Sequence, residues 1–362
     1  MRAVVLVGGE GTRLRPLTLD TPKQLLPVAG MTMLERVLAP LAAQGVDEVV
    51  LSLGYRPDAF LDAFPEGTAS GVRLRYAVED VPLGTGGAIR FAAESASLAD
   101  ERLVVLNGDV LFDLDLGALV AFHDDRGGEA TIALVTVEDP SGLGVVVTDR
   151  DGRVEQFVEK PPAGLAPSKD VNAGAYVLEP AALRRVAAGR AVSVEREVFP
   201  ALVAEGMAFA LASRRYWIDA GTPAKYLQAN LDVLAAARAP GSAPPAPWAL
   251  PASNGLWAAR GCVLAGDLGP DVLAAEGALV EAGARVCHAT LGAGATVGRG
   301  ATVGRSVLME GCAVAPGATV EDAVVGRHAS VGAGASVRCL SVLGTGAAVA
   351  DGEMLEGERR PR

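Results

Sequence analysis

The chain has 362 residues, half of them apolar, and a formal net charge of −11 at pH 7. That length exceeds one ordinary domain and fits two. The acidic balance, with no basic run and no basic–aromatic interleaving, excludes a general nucleic-acid binder, so a polyanionic ligand would have to be met by a local positive site.

In chain order, the small apolar run Ala3 to Val7 reads as a buried strand that stops at Gly8 and Gly9. The loop that follows, GGEGTRLRPLTLDTPK over 8–23, carries Arg13 and Arg15 and is closed by Lys23. Glycines after a strand let backbone N–H groups approach a phosphate, and the three cations add the charge a triphosphate needs. Further strands are expected at Val46–Leu53, Val72–Ala77, Leu103–Leu106, Thr131–Val137 and Val145–Thr148. Helices are expected at Met33–Gln44, Gly86–Ser97, Leu116–His123 and Pro180–Ala188, with another over Glu195–Glu205 and one starting at Pro223. The alternation predicts an α/β fold with a doubly wound, mostly parallel sheet, whose ligands sit outside the carboxyl ends of the strands, where the loop at 8–15 lies.

Residues 237–256 are rich in Pro and Ala and read as a linker, flanked by Trp248 and Trp257, after a catalytic domain over 1–236. Beyond it, Val280, Val286, Leu291, Val297, Val303, Leu308, Val314, Val320 and Val325 recur in steps of six or five, close to an 18-residue coil. Aliphatics at that spacing, preceded by small residues and followed by corner glycines, predict a left-handed parallel β-helix over 257–352, with a charged tail at 353–362. Cys262, Cys287, Cys312 and Cys339 form no C-x-x-C pair and read as reduced thiols. No apolar run is long enough to span a bilayer and no signal-peptide pattern appears, so a cytoplasmic protein without a membrane partner is expected.

The loop at 8–23 is not a P-loop, since no Gly-Lys-Ser/Thr closes it, and Leu14 occupies the third glycine position of a dinucleotide fingerprint. The four lysines are Lys23, Lys160, Lys169 and Lys225; the first two lie in motifs, and the others read as solvated surface. Asp109, in Asn107-Gly108-Asp109, follows a buried strand; it reads either as a Mg²⁺ ligand or as a helix N-cap. Asp219, in YWIDAGT, also follows a strand-like segment. The run Leu83-Gly84-Thr85-Gly86-Gly87-Ala88 opens a helix; its glycines permit backbone readout of a base, and Thr85 also reads as an N-cap. His123, His288 and His328 have no partner in sequence for nucleophilic catalysis.

The string G-x-G-T-R-L-x-P-L-T followed by P-K resembles the signature of the sugar-1-phosphate nucleotidyltransferases. The G-D and W-x-D-x-G-T segments, Glu159-Lys160-Pro161 and Asn172-Ala173-Gly174 match further motifs of that family. The resemblance implies that a sugar-1-phosphate attacks the α-phosphorus of a nucleoside triphosphate with Mg²⁺ as cofactor. It implies nucleotide binding by Val7, Gly8, Gly9, Gly11, Thr12, Arg13, Gly84, Thr85 and Gly108. Arg13 would stabilise the phosphoryl group, Lys23 would neutralise the phosphates, and Asp109 and Asp219 would hold the metal. Gly144, Glu159, Lys160, Asn172 and Gly174 would position the sugar phosphate; the residue before Gly144 is Leu143, where many members carry an aromatic.

Within the family, L-G-T-G-G-A and Ser193–Pro200 look most like mannose-1-phosphate guanylyltransferases, whereas Gln24 after Lys23 is similar to glucose-1-phosphate thymidylyltransferases. GTP with mannose-1-phosphate is the expected pair; another sugar or a cyclitol phosphate with a different nucleotide is the alternative. An acyltransferase role for the β-helix and a non-enzymatic regulatory subunit on the same fold are the readings of other classes. The flat faces of a β-helix suit self-association, so a homo-oligomer is expected.

Overall fold

The apolar run near Met1 becomes β1 (Arg2–Leu6), the middle strand of a mixed sheet in the computed structural model, which describes residues 1–162, 164–239, 241–253 and 255–361. Two compact units result, Met1–Gly9 with Leu34–Ile218 and Glu10–Met33 with Asp219–Arg362. In the first, β1 is joined by β2 (Glu48–Leu53), β3 (Val72–Val78), β4 (Leu103–Asn107), β5 (Ala130–Thr136), β6 (Gly144–Thr148), β7 (Val154–Glu159), β8 (Asp170–Leu178) and β9 (Ala208–Ser213). The sheet order runs β7-β6-β8-β4-β1-β2-β3, with β5 bridging β8 and β9. Strands β3, β2, β1 and β4 are mutually parallel, and β8 runs antiparallel to β4.

Strands β1, β2 and β4 read as apolar runs because both faces are covered: Ala3, Val4, Val5, Val49, Leu51, Leu103 and Val105 are fully buried. Two neighbours of β1, β2 and β4, follow it in the chain at different distances and lie on opposite sides. This is a topological switch point, where a crevice opens outside the strand ends.

The helices expected at 33 and 116 appear as α1 (Met33–Ala43) and α3 (Leu116–Arg126), and the one expected at 86 starts two residues earlier as α2 (Gly84–Ser95). Asp115 caps α3 by accepting from the Ala118 N–H at 2.9 Å, and Gly127 ends it at φ 66°. The helix expected over 180–188 covers only Pro180–Arg184, because the chain leaves it through tighter bonds such as Val186 N–H to Leu183 O. The helix expected over 195–205 divides into a wide turn, Val194–Val198, and a helix, Phe199–Ala204. Pro200 has no N–H to continue the regular ladder there.

The second unit holds the signature loop, α4 (Pro223–Ala237) and the coils. Residues 27–31 pack on α4: the Tyr226 hydroxyl donates to Pro27 O, and Asn230 Oδ1 accepts the buried Ala29 N–H at 2.8 Å. Trp248, at the edge of the expected linker, donates Nε1–H to Gly30 O at 3.3 Å. Gly30 has φ +85°, and a Cβ there would lie 2.6 Å from the Trp248 ring, so the indole docks only over a glycine. Trp257 lies in Leu256–Ala258, which pairs with Leu250–Ser253 and with Val272–Ala274, so much of the expected linker belongs to this packed unit.

The coils form a parallel β-helix with a shorter repeat than the expected 18. Val280, Val297, Val314 and Val331 pair in register at steps of 17, and Val331 to Val349 takes 18. The short corner is turned by one left-handed residue per coil, Asp271, His288, Arg305 and Asp322, all at positive φ. In the 18-residue coil two residues, Cys339 and Leu340, take that conformation. Buried Val280, Val297, Val303 and Val320 fill the interior. Cys312 lies among them, and burial pushes its thiol up to about 12. The expected charged tail is also ordered into the coils, through Met354–Glu356 and Arg359–Arg360.

Asn230→Ala removes the acceptor of the Ala29 N–H and leaves it buried. A loss of about 1–3 kcal/mol in unfolding free energy is expected in denaturant titration.

Candidate active site

In the first unit the sequence-predicted residues gather at one end of the sheet. Val7, Gly8 and Gly9 leave β1, with Val7 N–H donating to Ser52 O at 3.0 Å. Gly108 leaves β4 and donates its N–H to Leu6 O at 2.9 Å. A Cβ on Gly108 would meet Val7 Cγ1 at 2.6 Å and Leu6 O at 3.0 Å. This glycine lets the Asp109 turn close onto the end of β1. Asp109 is not a helix cap, since Val110–Phe112 is extended and Asp115 caps the next helix.

The sugar-phosphate motifs meet at the same end. In β8 the register slips between Asn172 and Tyr176, a bulge next to β4. Gly174 sits in it at φ +77°, and a Cβ there would lie 2.8 Å from Asn107 Nδ2. Asn172 Oδ1 accepts the Gly174 N–H at 2.9 Å, and its Nδ2 donates to the Tyr176 hydroxyl at 2.8 Å. Trp217 Nε1–H donates to Ala173 O at 3.1 Å. Gly144 opens β6 opposite Glu159, the last residue of β7, and a Cβ on it would touch Glu159 Oε2 at 2.9 Å. Lys160 follows with φ +53°, its N–H bonded to Leu143 O and its Nζ 3.3 Å from Glu159 Oε1. A non-glycine residue held left-handed is strained, and such strain collects at ligand clamps. The buried Tyr176 phenol is pushed well above its ordinary range, first by burial and then by the carboxylates of Glu195, Glu159 and Asp109.

Gly84 and Thr85 do other work than a cap. Leu83 stands at the N-cap of α2 without a side-chain bond. The Thr85 hydroxyl donates to Glu195 Oε2 at 2.6 Å and accepts the Val194 N–H at 2.9 Å. A Cβ on Gly84 would reach Val192 O at 2.7 Å, and Gly86 N–H donates to that oxygen at 2.8 Å. The glycine-rich start of α2 is thereby bound to the 190–195 segment.

In the second unit, Gly11 (φ +63°) starts a tight turn over Thr12–Leu14, and the Thr18 hydroxyl donates to Gly11 O at 2.8 Å. A Cβ on Gly11 would lie 3.1 Å from Lys23 Cβ, so Lys23 folds back on the turn that carries Arg13. Arg13 Nη2 is 3.6 Å from Asp219 Oδ2, and Asp219 Oδ1 accepts the Gly221 N–H at 3.0 Å. A Cβ on Gly221 would stand 2.7 Å from Arg13 Nη2 and 2.8 Å from Asp219 Oδ1. Gly221 thus adjoins both candidate groups, and motif reading passed it over although it sits in W-x-D-x-G-T. Arg15 is engaged with Glu10 at 3.2 Å.

The remaining candidates are structural. His123 is buried between Thr131 Oγ1 at 2.8 Å and Glu179 Oε1 at 3.1 Å. Lys169 pairs with exposed Glu138. A cavity of about 260 Å³ behind Trp217 includes Phe112, Leu134, Ala173 and Arg215 but none of the expected substrate-binding residues.

A model for nucleotidyl transferases matches residues 2–236. The chain belongs to the nucleotidyl transferase family. A second model, the GMPPB C-terminal domain, matches residues 268–359 of this nucleotidyl transferase. The chain is 44% identical over 234 residues to a mannose-1-phosphate guanylyltransferase of Mycobacterium tuberculosis, and the match covers 64% of this chain and 64% of that protein. It is 37% identical over 295 residues to probable mannose-1-phosphate guanylyltransferase 1 of Oryza sativa subsp. japonica, covering 80% and 81%. Crystal structures of HddC from Yersinia pseudotuberculosis, one complexed with GMP-PN, are 30% identical with a TM-score of 0.56, covering 64% of this chain and 98% of theirs. Among the described residues, no helix is long and apolar enough to cross a membrane.

Gly221→Ala forces the Arg13 guanidinium and the Asp219 carboxylate apart. A fall of about 10²-fold in kcat/KM for nucleotidyl transfer is expected, with the melting temperature nearly unchanged in calorimetry.

Proposed function

We propose that this nucleotidyl transferase moves a guanylyl group from GTP to mannose-1-phosphate and releases pyrophosphate. The observation that carries the reading is the sheet end where Asp109, Glu159, Lys160, Asn172 and Gly174 gather, in a chain of the nucleotidyl transferase family. The named relatives and the GMP-PN complex of HddC support the base and sugar.

The chemistry asks little covalent work of the protein. An oxygen of the sugar phosphate forms a bond to the α-phosphorus, and the bond from that phosphorus to the β-phosphate oxygen breaks. Both reactants are anions, and two unit charges 4 Å apart repel by roughly 4 kcal/mol at an effective dielectric near 20. Arg13 and Lys23 offset that repulsion at the triphosphate and the departing pyrophosphate. Lys160 holds the sugar phosphate, with Glu159 orienting its ammonium at 3.3 Å. Asn172 acts through the bulge it fixes, which sets Gly174 and leaves room for the sugar ring. Val7, Gly8, Gly9, Gly11, Thr12 and Gly108 bring backbone close to the nucleotide, and Gly84 and Thr85 shape its base side.

The donor chemistry fits Mg²⁺. Asp109 and Asp219 offer hard oxygen ligands, and Mg²⁺ takes one or two carboxylates together with phosphate oxygens and water. Among the described residues no group of three or more His, Cys, Asp or Glu side chains forms a separate metal cage. Asp109 and Asp219 would hold the ion, which supplies charge neutralisation at the phosphate oxygens when bound.

Pyrophosphate release measured for four nucleoside triphosphates crossed with several sugar-1-phosphates tests the assignment. GTP with mannose-1-phosphate should be preferred; a stronger preference for another pair overturns the substrate assignment. Asp109→Asn should lower kcat by at least about 10³-fold with the fold intact.

A further inference from the structure

Residues 353–361 do more than finish the β-helix. Arg359 and Arg360 pair in parallel with Val342 and Leu343. Neighbouring side chains on a strand point to opposite faces, and these two arginines part accordingly. Arg360 is clamped by Glu353, with Nη2 to Oε1 at 2.6 Å and Nη1 to Oε2 at 3.1 Å. Arg359 extends to the signature loop, where Nη1 donates to Arg15 O at 3.2 Å.

The loop rests against the same place. Gly344 donates its N–H to Arg360 O at 2.8 Å. A Cβ on Gly344 would lie 3.0 Å from Pro16 Cβ and 2.5 Å from Pro361 O, so Pro16 approaches over a glycine. Arg15 is the closing residue of the Thr12–Leu14 turn, and its N–H donates to Thr12 O at 3.2 Å. Its side chain is engaged with Glu10. Arg13 stands in the middle of that turn and faces Asp219 at 3.6 Å.

We propose that Arg359 is a positioning residue for Arg13. The strand anchored by Glu353 and Arg360 holds the Arg15 carbonyl, and the carbonyl fixes the turn that presents the Arg13 guanidinium. The inference rests on the phosphate-binding role of Arg13 given above. A charged donor on a carbonyl makes a stronger bond than a neutral one, and it acts two residues from the guanidinium it steadies.

The test uses the full chain with Arg359→Ala and Arg359→Lys, assayed by pyrophosphate release from GTP with mannose-1-phosphate and by thermal melting. Arg359→Ala should lower kcat about tenfold with little change in melting temperature, and Arg359→Lys, which keeps a cationic donor, should recover part of the loss. In an Arg13→Ala background the Arg359→Ala change should cost less than about twofold, because the two act as one unit. Wild-type kcat in Arg359→Ala, or the full loss repeated in the Arg13→Ala background, overturns the proposal. Tryptic cleavage after Arg13, followed by mass spectrometry, reads the brace without turnover. It should quicken in Arg359→Ala, and an unchanged rate overturns the brace. If the wild-type chain releases no pyrophosphate with any substrate pair while Arg359→Ala still shows the quickened cleavage, the activity assignment falls and the brace stands.

Discussion

The arrangement depends on a loose ion pair. Arg13 and Asp219 face each other at 3.6 Å, longer than a hydrogen bond and within Coulomb reach, and the arginine side chain is 63% exposed. An exposed pair of this kind adds only about 0–1 kcal/mol to stability. Exchanging it for contacts to a phosphate and a cation therefore costs the fold little. On the proposed function, the carboxylate would serve the metal and the guanidinium the triphosphate, and the pair holds both groups oriented until the ligands arrive. Gly221 makes this possible, because any side chain there would occupy the space between them.

The rest of each unit sets geometry. In the first, the switch point at β1 brings the Gly8 turn and the Asp109 turn side by side, and Gly108 lets them touch. The bulge at Asn172–Gly174 lies at the end of β4 and, on the proposed function, adds the sugar side. Close approach recurs through glycines whose absent Cβ is occupied by a neighbour: Val7 at Gly108, Asn107 at Gly174, Glu159 at Gly144. In the second unit the signature loop is braced by α4 at Ala29 and by the coils at Arg15 and Pro16. The β-helix thus contributes to the setting of the loop that carries Arg13.

Much of this was legible in the sequence, for physical reasons. Buried strands such as Leu103–Asn107 announce themselves by continuous apolar residues, and the coils by an aliphatic period that only stacking can bury. The G-x-G-T-R string and the acids after strands located the candidate residues. What stayed hidden depends on distant partners. Nothing local shows that Thr85 would bond Glu195 instead of capping its helix, whereas Pro200 is a local signal that the helix expected over 195–205 would divide. The 17-residue coil lay in the aliphatic spacing itself, from Val280 to Val297; what stayed hidden is that a single corner residue at positive φ, such as His288, turns it. Arg359 read as part of a charged tail because its acceptor is a carbonyl far away in the chain.

Manganese binding, followed by water-proton relaxation in the presence of GTP, tests the loose pair most directly. If Asp219 exchanges its guanidinium partner for the metal, Asp219→Asn should weaken binding about tenfold or more, while Arg13→Ala should leave it equal or tighter. Wild-type manganese affinity in Asp219→Asn would contradict the account.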